Sequence, residues 1–164
     1  MKKLLHLSIF ILIITTFYGC PVGIEYPLGN IGKEKIDKTI IGTWLCSAED
    51  PEVKKVTISR KDDYSYTVKV LEKGSMYSLE SDDLTGWTTE VDGKTFLFFR
   101  ENTGTTYYHY MINESGKNKM TTCDVSLLDG GVDAVTSTEA FRTQVSSSMK
   151  MAEYCAETLN WTKE

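Results

Sequence analysis

Between Tyr64 and Val70 the chain alternates strictly. Tyr64, Tyr66, Val68 and Val70 fall on one side; Ser65, Thr67 and Lys69 fall on the other. Side chains of an extended strand point to opposite faces in turn, so this pattern of β-branched and aromatic residues predicts a half-buried antiparallel strand. A weaker form of it recurs from Thr39 onward. It predicts strands at 40–47, 53–60, 64–71, 75–81, 84–91, 94–100, 105–112 and 118–127. Asp62-Asp63, Lys73-Gly74, Asp92-Gly93, Asn102-Thr103-Gly104 and Glu114-Ser115-Gly116 each supply turn chemistry between two runs. Eight short strands with tight turns predict a mainly β fold, either an eight-stranded antiparallel up-and-down β-barrel or a sandwich. A barrel also removes the exposed edges of a meander.

A helical period follows. Thr136 and Glu139 have capping-box spacing. Phe141, Val145, Met149, Ala152, Cys155 or Ala156, and Leu159 then recur at helical intervals, so one amphipathic C-terminal helix is expected over 138–157. Its stripe needs a surface. Phe96-Leu97-Phe98-Phe99 and Tyr107-Tyr108-His109-Tyr110-Met111 are apolar or aromatic on both faces, and only one face of each can look inward. The helix is therefore expected outside the barrel, over these two strands.

The N-terminal end reads differently. Met1-Lys2-Lys3 is a short positive start, and Leu4 to Phe17 is largely apolar. That run suits a signal peptide over residues 1–19 better than a bilayer span, which needs about 20 apolar residues. Residues 21–38 hold two of the three prolines and three glycines without alternation, and read as a tether with one helical turn near Lys33 to Lys38. The barrel and its helix occupy 39–164, a length suited to one domain. The chain carries a net charge of −5. Loss of Lys2 and Lys3 with the signal segment leaves it more acidic still, which argues against nucleic acid as a partner.

No reaction is announced. Beyond the signal segment His109 is the only histidine, and no metal-binding spacing or nucleophile elbow occurs. No catalytic residue, metal ligand or cofactor is assigned, and the chain is read as a non-enzyme. The carboxylates cluster at turns and read as solvated hairpin ends. Cys46, Cys123 and Cys155 all look buried; export favours one disulfide among them, and the pairing stays open. The aromatic residues Tyr66, Tyr77, Trp87, Phe98, Tyr108 and Tyr110 fall on strands that would circle one axis. An eight-stranded barrel holds either packed side chains or one small ligand. These six are the candidate ligand-binding residues, since tyrosine joins an apolar body to a polar anchor.

Two resemblances extend this reading. Phe17-Tyr18-Gly19-Cys20 resembles the lipobox of bacterial lipoproteins. That resemblance implies acylation at Cys20, a lipidated tether over 20–38, and a place in the cell envelope. Pro21 is not acidic, which points to the outer membrane. Ile41-Gly42-Thr43-Trp44 resembles the Gly-x-Trp signature of lipocalins and related calycins. It implies that Gly42 permits close packing and that Trp44 closes the bottom of the barrel. Arg100 and Arg142 are the candidates for the basic residue that this family packs on its tryptophan. Together the resemblances imply a membrane-anchored lipoprotein that binds a small apolar or amphipathic molecule. The alternative is a filled barrel serving as a structural or interaction subunit of an envelope complex.

Overall fold

In the computed structural model, which describes residues 23–125, 127–155 and 158–164, eight antiparallel strands form a closed barrel. They are β1 Gly42–Cys46, β2 Val53–Arg60, β3 Tyr66–Lys73, β4 Asp83–Val91, β5 Lys94–Glu101, β6 Tyr107–Ser115, β7 Lys119–Asp124 and β8 Leu159–Lys163. Each strand pairs with its neighbour in sequence, and β8 pairs with both β7 and β1 to close the ring. The signal segment and Cys20 lie outside the described residues. The tightest hairpin sits at Asp92-Gly93, where φ is +49° and +74°. Two successive positive φ values match the twist of the flanking strands, and glycine takes one of them without a Cβ clash.

The strand count agrees with the sequence pattern, but one strand is a different segment. Residues 75–81 are a loop. Their polar groups are taken by side chains rather than by a neighbouring strand. Ser78 N and Oγ donate to Glu52 Oε1, at 3.4 and 3.0 Å. Ser81 N donates to Glu101 Oε1 at 2.6 Å, and Ser75 donates to Asp50 through both its amide and its hydroxyl. The eighth strand is Leu159–Lys163, assigned above in part to the helical stripe.

The helix is correspondingly shorter. Helix α1 spans Thr138–Ser148. Its N-cap is Ser137, whose hydroxyl accepts from Ala140 N at 3.1 Å, rather than Thr136. Lys150 N and Met151 N bond to carbonyls three residues back, which tightens and ends the helix. The chain must then reach β8, so closure of the barrel overrides the helical period beyond Met149. The helix therefore sits between β7 and β8, and the described chain ends on a strand.

Helix α1 lies outside the barrel, as its stripe required. Phe141 and Val145 are fully buried against Phe96, Phe98, Tyr107 and Met111 of β5 and β6 and Trp87 of β4. Burying a large apolar side chain contributes about 1.5–3 kcal/mol, so these two residues seat the helix. The segment expected to be a flexible tether joins the same layer. Ile24 exchanges backbone hydrogen bonds with Tyr107, and Ile24 and Leu28 are buried among the aromatic residues. From there the chain descends the barrel wall to the turn at Lys38–Ile40 and into β1. A second cluster, inside the barrel, contains Trp44, Ile58, Val68, Leu84, Leu97 and Trp161.

Candidate functional site

The barrel has a sealed end and an open end. At the sealed end Trp44, 1 % exposed, donates its indole N–H to the Ile40 carbonyl at 2.8 Å. The Tyr66 hydroxyl donates to the Asp37 carbonyl at 3.1 Å and accepts from the Asp37 amide at 2.5 Å. It also meets the Thr88 hydroxyl at 3.3 Å. These bonds tie the turn before β1 across the floor.

The basic partner of Trp44 is Lys163, not Arg100 or Arg142. Lys163 Nζ stands 5.0 Å from the centre of the Trp44 ring and donates to the Thr39 carbonyl at 3.2 Å. Gly42 makes room for it: a Cβ there would lie 2.2 Å from Lys163 Cε, and its φ of +151° disfavours any side chain. Lys163 lies on the closing strand, so only the β1–β8 pairing brings it to Trp44. The two arginines serve the outer layer. Arg100 stacks on Tyr107 and bonds its hydroxyl at 3.0 Å. Arg142 donates to the carbonyls of Leu28 and Glu90 and to the Thr89 hydroxyl.

Above this floor lies a cavity of about 660 Å³. Its walls are apolar: Val56, Ile58, Val68, Val70, Leu84, Leu97, Phe99, Met120 and Trp161 all line it. Trp161 is held by a hydrogen bond from its indole N–H to the Thr122 hydroxyl, 3.0 Å long. Met76 and Leu79 of the 74–82 loop reach the mouth, as do Leu127, Tyr154 and Cys155. Met76 and Leu127 are exposed there. Cys155 is bonded to Cys123 of β7, a disulfide that holds the segment after α1 to the rim. Cys46 is buried and has no disulfide partner among the described residues, and burial raises its thiol pKa.

Of the six aromatic candidates, Tyr110 lines the cavity. Its ring stacks on Phe99, with 5.7 Å between centroids. Tyr108 lines a side recess of about 20 Å³ with Glu52, Leu79 and Phe99. Tyr66 belongs to the floor. Tyr77 sits on the loop that replaces the expected strand; its hydroxyl donates to the Ser81 carbonyl at 2.7 Å and its ring faces Lys73. Trp87 and Phe98 correct the expectation outright. They are cross-strand partners on the outer face, stacked 5.6 Å apart beneath α1. On β5 both faces are apolar, and the alternation chosen by pairing puts Leu97 and Phe99 inside instead.

His109 shares that outer layer. It is 1 % exposed, stacked on Phe98 and edge-on to Phe141 at 4.7 Å. Neither ring nitrogen has a hydrogen-bond partner among the described residues, and burial pushes its pKa down to about 3. It is a neutral packing residue at ordinary pH. Among the described residues no group of three His, Cys, Asp or Glu side chains is arranged to hold a metal.

Asp124 is the polar feature that sequence reasoning missed. It closes the cavity-facing side of β7, opposite Tyr110. Burial pushes its carboxyl up to about 6 despite a backbone hydrogen bond from Val125, and the charge of Glu52 adds to the rise. The same burial, with the charge of Asp124 beside it, raises the Tyr110 hydroxyl. Asp124 falls within the expected strand 118–127 without a role there; the β6–β7 pairing sets it opposite Tyr110 on the cavity side. Comparisons with protein-family models, with curated proteins and with solved structures gave no match for this chain.

Proposed function

We propose that this chain is a lipid-anchored envelope protein whose barrel binds one small apolar or amphipathic molecule. The observation that carries the reading is the cavity. It is about 660 Å³, apolar along its walls, sealed at one end and open at the other. Small-molecule sites span roughly 300–1,000 Å³ and combine an apolar lining with a few polar groups. A filled barrel acting as a structural subunit draws no support from a void of this size.

The anchoring half of the proposal rests on the apolar run and on Gly19-Cys20. It has a geometric consequence. Gly23 lies against Thr106, and Ile24 pairs with Tyr107, at the mouth end of the barrel. Three residues reach about 10 Å when extended. An acylated Cys20 therefore holds the mouth near the membrane surface, where amphipathic molecules are concentrated.

The test is native mass spectrometry of the chain purified gently from its own host. A bound mass that is lost on denaturation, and lost also in Leu97→Trp, which fills the cavity, is the expected result. An apo mass together with no binding of octanol, an apolar probe with one hydroxyl, would overturn the reading.

A further inference from the structure

Among the described residues, the charged side chains lining the cavity all have one sign. Asp50, Glu52, Asp124 and Glu153 line it, and among the described residues no Lys, Arg or His does. The four are not equivalent. Asp50 is exposed, bonded to Ser75, and has Lys54 at 3.6 Å. Glu52 accepts from Ser78. Asp124 sits deeper, and no basic side chain pairs with it among the described residues. Beside it Tyr154 lines the cavity at 4 % exposure, and its buried hydroxyl has no hydrogen-bond partner among the described residues. The charge of Asp124 acts on that hydroxyl as it does on Tyr110. A half-buried carboxylate without a cation and a buried hydroxyl without a partner are both costly. An apolar well next to such groups is matched by a molecule that brings a cation and hydrogen-bond donors to the mouth and a hydrocarbon body to the depth.

Resting on the ligand-binding reading above, we infer that the barrel selects an amphipathic cation, an alkyl chain ending in an ammonium group, with Asp124 as its counter-charge and Tyr154 as a hydrogen-bond partner. The chain lies among Val68, Leu97 and Trp161. The ammonium sits between Asp124 and Tyr110, whose ring adds a cation–π contact. An anionic amphiphile is rejected, because its head would face four carboxylates. A neutral one leaves Asp124 unpaired. A phosphodiester beside the ammonium, as in an aminophospholipid headgroup, would bring a negative charge to the same acids, so the ligand is a free amine.

Octylamine, octanol and octanoate share a tail and differ in the head. Their binding to the full-length chain is compared by calorimetry at pH 8. Charge-assisted hydrogen bonds in desolvated sites support a preference of roughly tenfold or more for octylamine over octanol. Octanoate should bind weakest. Asp124→Asn keeps the shape of the side chain and should erase the difference between octylamine and octanol, and Glu52→Gln should reduce it less. Equal affinities for octylamine and octanol in the unaltered chain overturn the inference and leave the pocket reading standing. No binding by any of the three overturns both. Dihexanoylphosphatidylethanolamine separates a lipid headgroup from a free amine: it should bind more weakly than octylamine, and tighter binding overturns the free-amine assignment.

Discussion

Lys163 Nζ lies 5.0 Å from the centre of the Trp44 ring, and Gly42 leaves the space through which the lysine passes. The pair joins the last strand to the first at the sealed end. A partly desolvated cation–π contact contributes about 0.5–2 kcal/mol. Lys163→Ala should lower stability within that range, measured by urea unfolding. Gly42→Ala should cost more, because it adds both backbone strain and a clash. In the double variant the clash is gone, so the combined loss should be smaller than the sum of the two. A purely additive result would show that Gly42 is required for its backbone alone.

The inner and outer layers should separate by mutation. Phe141→Ala removes the residue that seats α1 and should destabilise the fold by about 3–5 kcal/mol. Trp87→Leu, also outside, should lower stability without changing octanol affinity. Tyr110→Ala and Val70→Trp, inside the cavity, should change affinity. Octanol affinity that follows Trp87 and ignores Tyr110 would contradict the assignment of faces.

Two desolvated groups, one buried and one half-buried, should give stability opposite pH dependences. His109 titrates near 3 when folded and near 6.5 when unfolded. Between those values the unfolded state holds more protons, so this contribution is full above about 6.5 and is lost as pH falls towards 3. By pH 5 the loss is about 2 kcal/mol. Asp124 is raised to about 6 when folded and titrates near 3.9 when unfolded. Here the folded state holds more protons, so stability rises as pH falls from about 6 to 4. His109→Leu should therefore gain stability between pH 7 and pH 5, and Asp124→Asn should lose it more steeply than the unaltered chain. Urea midpoints at the two pH values decide; parallel profiles in all three proteins would refute both assignments.

The cysteines should differ in reactivity. The Cys123–Cys155 bridge closes a separation of 32 residues, and disulfides of this kind stabilise by about 2–4 kcal/mol. Dithiothreitol should lower the melting temperature and loosen the rim at Tyr154. Cys46 is buried with a raised thiol pKa. Peptide mapping after iodoacetamide should find it unmodified in the folded chain and modified after unfolding.

Much of the architecture was legible in local patterns. The Asp92-Gly93 hairpin and the Phe141–Val145 stripe each act through neighbouring residues and are present as read, and the alternation read over Tyr64–Val70 holds from Tyr66 onward, whereas Tyr64 lies before β3 and is exposed and Ser65 is buried. The segment 75–81 was misleading because alternation records only which side chains are apolar. It does not record whether a partner strand is within reach, and here Glu52 and Glu101 take the amides. Trp87 and Phe98 were misleading for a related reason: where both faces of a strand are apolar, the pattern carries no sign of which is inside.

The sequence by itself determined that strands with this period and these turns must curl into a β fold with an apolar helix face to cover. The tertiary structure alone decided which segment closes the ring, that Lys163 meets Trp44, and that Asp124 and Tyr154 face one cavity. Those relationships join residues far apart in the chain. They are set by strand pairing and closure, which depend on the whole barrel at once and leave no trace in any short window of residues.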